Sequence, residues 1–145
     1  MRILPTLFSI MIFLIISKVS PAETIEIEFT GHDSYSIEVA HIKVGDTIEW
    51  LPKNEGHNVE FLAGPKMKSL PKKSEIDEVH SVFFKVPGIY LYGCTPHGNM
   101  GMLGLIVVGN DLHNLEKIKN IQLPLVASSV LKRLIRIAIS HSKSS

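Results

Sequence analysis

The chain has 145 residues, with 15 Lys+Arg against 14 Asp+Glu, and a single cysteine. So even a charge balance excludes a strongly basic nucleic-acid binder and names no partner by itself. One cysteine excludes an internal disulfide, so a domain of this length must hold together by its core.

The first 22 residues read as an export leader. Arg2 supplies positive charge, "LPTLFSIMIFLII" a short apolar run, and "SKVSPA" a small-residue end, so cleavage is expected after Ala22. An uncleaved membrane anchor fits less well. The run is short for a span of about 20 residues, and Lys18 interrupts its end. Arg2 and Lys18 would leave with the leader while every acid stays, so residues 23–145 remain near neutral. They are expected to form a single domain. In an oxidising compartment a lone thiol is a liability unless it is buried, reactive or metal-bound.

"TIEIEFT" (24–30) alternates apolar and polar residues, as a strand does. "YSIEVAHIKVGDTIEWL" (35–51) continues the alternation, with "VGD" as a turn before "TIEWL". "NVEF" reads as a strand start after His57. "LAGPKMKSLPKKSEI", between Phe61 and Asp77, reads as an exposed loop region rich in Pro, Gly and Lys. "VHSVFFKV" (79–86) and "GIYLYGC" (88–94) are two further strands divided at Pro87-Gly88, and "MLGLIVVG" (102–109) is a buried one. Short strands with turn punctuation at this spacing predict an all-β antiparallel sandwich.

The texture changes after Gly109. "NDLHNLEKIKN" has helical spacing at Leu112, Leu115 and Ile118, with Asn110 or Asp111 as N-cap. "LPLVASSVLKRLIRIAISHS" repeats apolar positions at Val126, Val130, Leu134, Ile137 and Ala138, with Lys132, Arg133 and Arg136 between. Two C-terminal helices, about 111–141, are expected to pack on the sheet surface. A membrane surface is the alternative home for a basic amphipathic helix.

The one cysteine sits in "YGCTPHGNM", followed by "GMLGLIVVG". Thiolate is a soft ligand, imidazole intermediate, thioether soft and weak. Two His and one Cys in a trigonal set with a distant Met make the site expected of electron-transfer copper. One segment offers Cys94, His97 and a methionine at 100 or 102. The second histidine must come from elsewhere, and His57 in "NEGHNVEF" is the best candidate. Zinc also takes Cys and His, but a thioether argues against it. A buried inert thiol is the ordinary fate of a lone Cys, and a Cys-His nucleophile would need a base and oxyanion arrangement that the sequence does not offer. His32, His41, His80, His113 and His141 lack this context and read as surface or structural residues.

"GHNVEF", "VPGIYLYGCTPHGNMGMLGLIVVG" and the trailing "NLEKIKN" resemble a cupredoxin, a type 1 blue copper protein, of the pseudoazurin type. The resemblance runs from about Thr24 through the C-terminal helices. It implies a Greek-key β-sandwich with one copper ion at one end, held by His57, Cys94, His97 and Met102. It also implies that Asn58 ties the two ligand loops together and that Pro96 stiffens the turn. The family implies a soluble periplasmic electron shuttle, monomeric and not an enzyme, serving partners such as a copper nitrite reductase or a c-type cytochrome. Two positions depart from its pattern. Gly93 stands where a lysine is expected, and Gly98 where a bulky residue often follows the histidine. Both lie near the expected docking surface and bear on the partner, not on the copper.

His97 is expected to turn its ring edge to solvent as the electron port, with Pro96 and Met100 in the contact patch. Lys53, Lys66, Lys68, Lys72 and Lys73 offer a local basic patch able to steer an acidic partner. Two rival functions remain in view. A copper chaperone or storage protein would exchange Cu(I) rather than cycle it. A copper enzyme would need an open coordination position, and two His, one Cys and one Met leave no evident vacancy.

Overall fold

The computed structural model describes residues 19–144. Most of the leader expected over 1–22 therefore lies outside the described residues. Seven strands follow in chain order. They are β1 (Thr24–Glu28), β2 (Val39–Ile42), β3 (Thr47–Leu51), β4 (Glu60–Ala63), β5 (His80–Phe83), β6 (Gly88–Gly93) and β7 (Leu103–Val108). Two helices close the chain, α1 (Leu115–Lys119) and α2 (Leu125–Ser144).

The strands form two sheets, one of order β1-β3-β5 and one of order β2-β7-β6-β4. The pairing is mixed rather than wholly antiparallel as the spacing predicts. β1 runs parallel to β3, and β2 parallel to β7. The reason is the path of the chain. β2 belongs to the other sheet, so the chain crosses over and back between β1 and β3 and returns in the same direction. Alternation of side chains reports a strand's faces, not its direction.

Burial follows the same architecture. β1 and β3 alternate, with Ile27, Ile48 and Trp50 buried and Glu26 and Glu28 outward. β6 and β7 are buried at every position, because both faces are covered. One face, with Tyr90, Tyr92, Ile106 and Val108, joins Trp50, Phe61 and Phe84 between the sheets. The other, with Ile89, Leu91, Leu103, Leu105 and Val107, packs under Ile118, Leu131, Leu134 and Ala138 of the helices. A large side chain fully buried in this way contributes roughly 1.5–3 kcal/mol. The parity of β6 continues to Cys94, which joins the core between the sheets together with Met102.

The helices pack on the sheet as predicted, with two adjustments. α1 starts at Leu115, not after Asn110 or Asp111. Asp111 instead accepts from the His113 backbone N–H at 2.8 Å, a local turn that delays the helix. Asn114, at the cap position, spends its amide on β6: it accepts from Ile89 N–H and donates to Ile89 C=O, both at 2.8 Å. α2 runs on to Ser144 and is fastened by Arg133, whose guanidinium makes two bonds of 2.8 and 2.9 Å to Glu38. The region after β4 is only partly the exposed loop expected. Lys66, Met67, Lys68 and Ser69 are exposed, but Ser74 is buried and bonded to Val59. No described helix is long and apolar enough to cross a membrane.

Candidate metal centre

Two connections meet at one end of the sandwich. The first joins β3 to β4 and carries His57. Gly56 turns the chain with φ +88°, and Asp77 fixes it from across the fold. The Asp77 carboxylate accepts from Gly56 N–H at 2.6 Å and from His57 N–H at 3.3 Å, while Asp77 N–H donates to His57 C=O at 2.9 Å. The second joins β6 to β7 and carries Cys94, His97 and Met102. It closes on itself: Cys94 N–H donates to Met102 C=O at 3.1 Å, Gly98 N–H to Cys94 C=O at 2.6 Å, and Met102 N–H to His97 C=O at 3.2 Å. Gly101 makes the last bend with φ +103°, and a Cβ there would come within 2.8 Å of Val130 of α2. The helix thus braces the loop from behind.

Asn58 and Thr95 lock the two connections together. Thr95 N–H donates to the Asn58 amide oxygen at 2.8 Å, and the Asn58 amide N–H donates back to the Thr95 hydroxyl at 3.0 Å. Tyr35 adds a bond of 2.8 Å from its hydroxyl to Asn58 C=O. Burial pushes the Tyr35 hydroxyl far above its ordinary range, with the neighbouring Tyr92 and Cys94 adding to the shift, so it remains a neutral donor.

The result is a triangle of donor atoms. Cys94 Sγ lies 3.7 Å from His57 Nδ1 and 3.6 Å from His97 Nδ1, and the two Nδ1 atoms are 3.1 Å apart. Metal bonds of about 2.0–2.1 Å to imidazole and about 2.3 Å to thiolate, spread trigonally round one ion, put neighbouring donors roughly 3.5–3.8 Å apart. The triangle fits that scale, with the imidazoles slightly closer together. His57 and Cys94 are buried, and His97 keeps 27% of its side chain open to solvent. Burial, then the charge of His97, lowers the His57 pKa, while Asp33 and Asp77 pull the other way. A neutral imidazole is the form a metal requires.

The methionines separate clearly. Met102 is 1% exposed and belongs to the core beside Cys94, whereas Met100 is 71% exposed. Soft thiolate, two imidazoles and a thioether suit copper, not zinc. Among the described residues, His57, Cys94 and His97 are the cluster able to hold a metal. The five other histidines stay out of it, as expected. His41 stacks on His141, and His113 pairs with Asp111.

The family model for copper binding proteins of the plastocyanin/azurin family matches residues 25–109. The chain belongs to this family. Within it the likeness is to the pseudoazurin type. A chain of Rhizobium leguminosarum bv. viciae, provisionally named a pseudoazurin, is 43% identical over 94 residues, 64% of this chain and 60% of its own length. The pseudoazurin of Methylorubrum extorquens is 38% identical over 85 residues, 58% of this chain and 57% of its own. The match therefore spans about 60% of these relatives. The solved pseudoazurin of Sinorhizobium meliloti superposes with a TM-score of 0.71 at 31% identity, over 78% of this chain and 94% of that one. The cluster of His57, Cys94, His97 and Met102 fits the type 1 copper site of a cupredoxin.

The two departures from the family pattern have physical consequences here. A Cβ on Gly93 would press to 2.9 Å from Leu103 and 3.2 Å from Met102 C=O, so glycine lets β6 and β7 close up at the site. Gly98 faces open space, so its small size is not imposed by packing. Of the lysines, Lys73 reaches Glu60, which accepts from Thr95 of the cysteine loop. Lys53 lies in the β3–β4 connection itself, and among the described residues no side-chain hydrogen bond or ion pair links Lys66, Lys68 or Lys72 to the ligand loops. Sequence reasoning missed Asp33 and Asp77. Neither sits in a motif, and both reach the site only through the folded loops.

Proposed function

We propose that the chain is a copper electron carrier in which His57, Cys94, His97 and Met102 are the four ligands. The observation that carries this reading is the Sγ, Nδ1, Nδ1 triangle, buried at His57 and Cys94 and partly open at His97, held by backbone and Asn58–Thr95 bonds at the end of a packed sandwich. Copper, when bound, supplies one-electron chemistry between Cu(I) and Cu(II), two states that normally prefer different geometries. The chain's part is to keep one donor geometry for both, so that little has to move on electron transfer. Cys94 gives up its proton to serve as thiolate, which also accounts for a lone cysteine in an exported chain. Met102, held by backbone bonds just before β7, would supply the weak thioether ligand. His97 turns a partly open ring edge outward as the electron port, with exposed Met100 and Pro96 in the surrounding contact patch.

The same reading extends to the setting. A leader over 1–22 sends residues 23–145 to the periplasm as a single domain, monomeric and without catalysis of its own. Its partners are redox proteins, such as a copper nitrite reductase or a c-type cytochrome, that dock transiently near His97. The exposed lysines of 53–73 offer charge to steer an acidic one. The test is a visible spectrum of the copper-loaded protein during reductant titration. An intense colour, lost with one electron per copper and restored on oxidation, is expected. A colourless protein that retains Cu(II) would overturn the proposal.

A further inference from the structure

We infer that Asp33, through its carboxylate, is a positioning residue for both imidazoles of the metal centre and sets its reduction potential. The inference rests on the copper-carrier reading above and extends it to a residue outside the ligand loops. Asp33 Oδ1 lies 3.6 Å from His57 Nε2 and 3.9 Å from His97 Nε2. These nitrogens are on the far side of each ring from the Nδ1 atoms that form the donor triangle. An imidazole that gives Nδ1 to a metal carries its proton on Nε2. Both Nε2 atoms therefore lie within ion-pair range of the same carboxylate, at distances longer than a hydrogen bond. Carboxylates placed behind metal-bound histidines fix tautomer and ring orientation and raise ligand basicity. Here one carboxylate faces two rings.

The loop that carries Asp33 is built to hold it there. Phe29 and Tyr35 pair across its base. Thr30 N–H donates to Ser34 C=O at 2.9 Å, the Thr30 and Ser34 hydroxyls meet at 2.7 Å, and His32 N–H donates to the Thr30 hydroxyl at 3.2 Å. Asn54 ties the loop to the β3–β4 connection by donating to Phe29 C=O at 2.8 Å. Asp33 itself sits in the left-handed region, φ +51°. That conformation is uncommon for a residue with a Cβ, and Asp and Asn tolerate it better than most.

Cu(II) carries one more positive charge than Cu(I), so a fixed anion beside the ligands favours the oxidised state. Asp33 is 54% exposed. Solvent and salt therefore screen its charge, and the effect is moderate. The test is the reduction potential of the copper-loaded full chain with D33N and, separately, D33G. Asparagine keeps the shape and accepts the left-handed backbone while removing only the charge. Glycine accepts that backbone too and stands in if the Asn variant does not fold. The reduction constant is expected to rise about tenfold, which is ~59 mV for a one-electron couple, and the rise is expected to shrink as salt is added. The variants are expected still to take up copper and become coloured, with an affinity about tenfold weaker, the low end for an outer-shell partner. A coloured variant with the native potential at low salt overturns the inference and leaves the copper site standing. A native chain that never becomes coloured fails the copper-carrier reading instead.

Discussion

Two pairs of histidines lie at different places among the described residues, and one of them joins Cys94 in the cluster able to hold a metal. His57 and His97 sit with ring centroids 4.8 Å apart and tilted by 56°, with their Nδ1 atoms 3.1 Å apart beside Cys94 Sγ. His41 of β2 and His141 of α2 are closer, 3.9 Å, but stacked at 20°. Among the described residues that line the cavity beside that second pair, Ile42, Lys43, Val44, Gly109 and Asn110, none carries a thiol or a carboxylate. At the first, the rings converge on one point and Asp33 and Asp77 flank them. Proximity of imidazoles is therefore not what makes the site. Convergent nitrogens, a thiol in the same triangle and loops tied so that neither can drift make it.

Removing the thiol should erase the difference between the two pairs. Cys94→Ala is expected to abolish the intense colour and weaken copper binding by more than about 100-fold, beyond the loss typical of an outer-shell partner. A copper titration followed by visible absorption checks it. Cutting the tie between the loops is the next largest change. Asn58→Ala leaves Thr95 N–H and its hydroxyl without their buried partner, and is expected to cost about 1–3 kcal/mol in chemical denaturation, with weaker copper retention.

The two methionines contrast a buried residue with an exposed one. A Gln oxygen is a harder ligand than a thioether and favours Cu(II). Met102→Gln is therefore expected to keep copper while lowering the potential by roughly 59 mV or more, a tenfold change in the reduction constant. Met100→Gln should leave potential and spectrum nearly unchanged. Voltammetry of the two variants decides between them. The far pair gives the smallest effect. Burial first, and then the charge of His141, lowers the pKa of His41. The unfolded chain takes up that proton first. The stabilisation from keeping His41 neutral is thus present above the unfolded value of about 6.5 and lost as pH falls through the lower folded value. His41→Gln should reduce the acid-induced loss of unfolding free energy, by less than about 1 kcal/mol for a partly open ring, and leave the colour untouched.

What the sequence disclosed and what it hid follow from range. Cys94, His97 and two methionines lie in one short segment, so a cluster of donor types is readable from residue type, while the choice of Met102 over Met100 rested on the family resemblance. His57 required a guess across the chain, made on its Gly-His-Asn context. Strand positions were legible because alternation is local, and the fully buried run of β7 because nothing polar interrupts it. Strand direction was not, since β1–β3 and β2–β7 are made parallel by crossings between sheets. The start of α1 was misplaced because Asp111 turns its carboxylate to His113, and Asn114 turns its amide to Ile89. Asp33 and Asp77 were invisible for the same reason. Each acts on histidines remote in sequence, and nothing beside them in the chain marks that role.

The central claim is that one preformed donor set serves copper in both oxidation states. X-ray absorption at the copper edge of the oxidised and the reduced protein tests it most directly. One sulfur and two imidazole nitrogens are expected as near neighbours in both states, with nearly unchanged distances. A copper that lacks sulfur when oxidised, or loses a nitrogen neighbour on reduction at neutral pH, would contradict it.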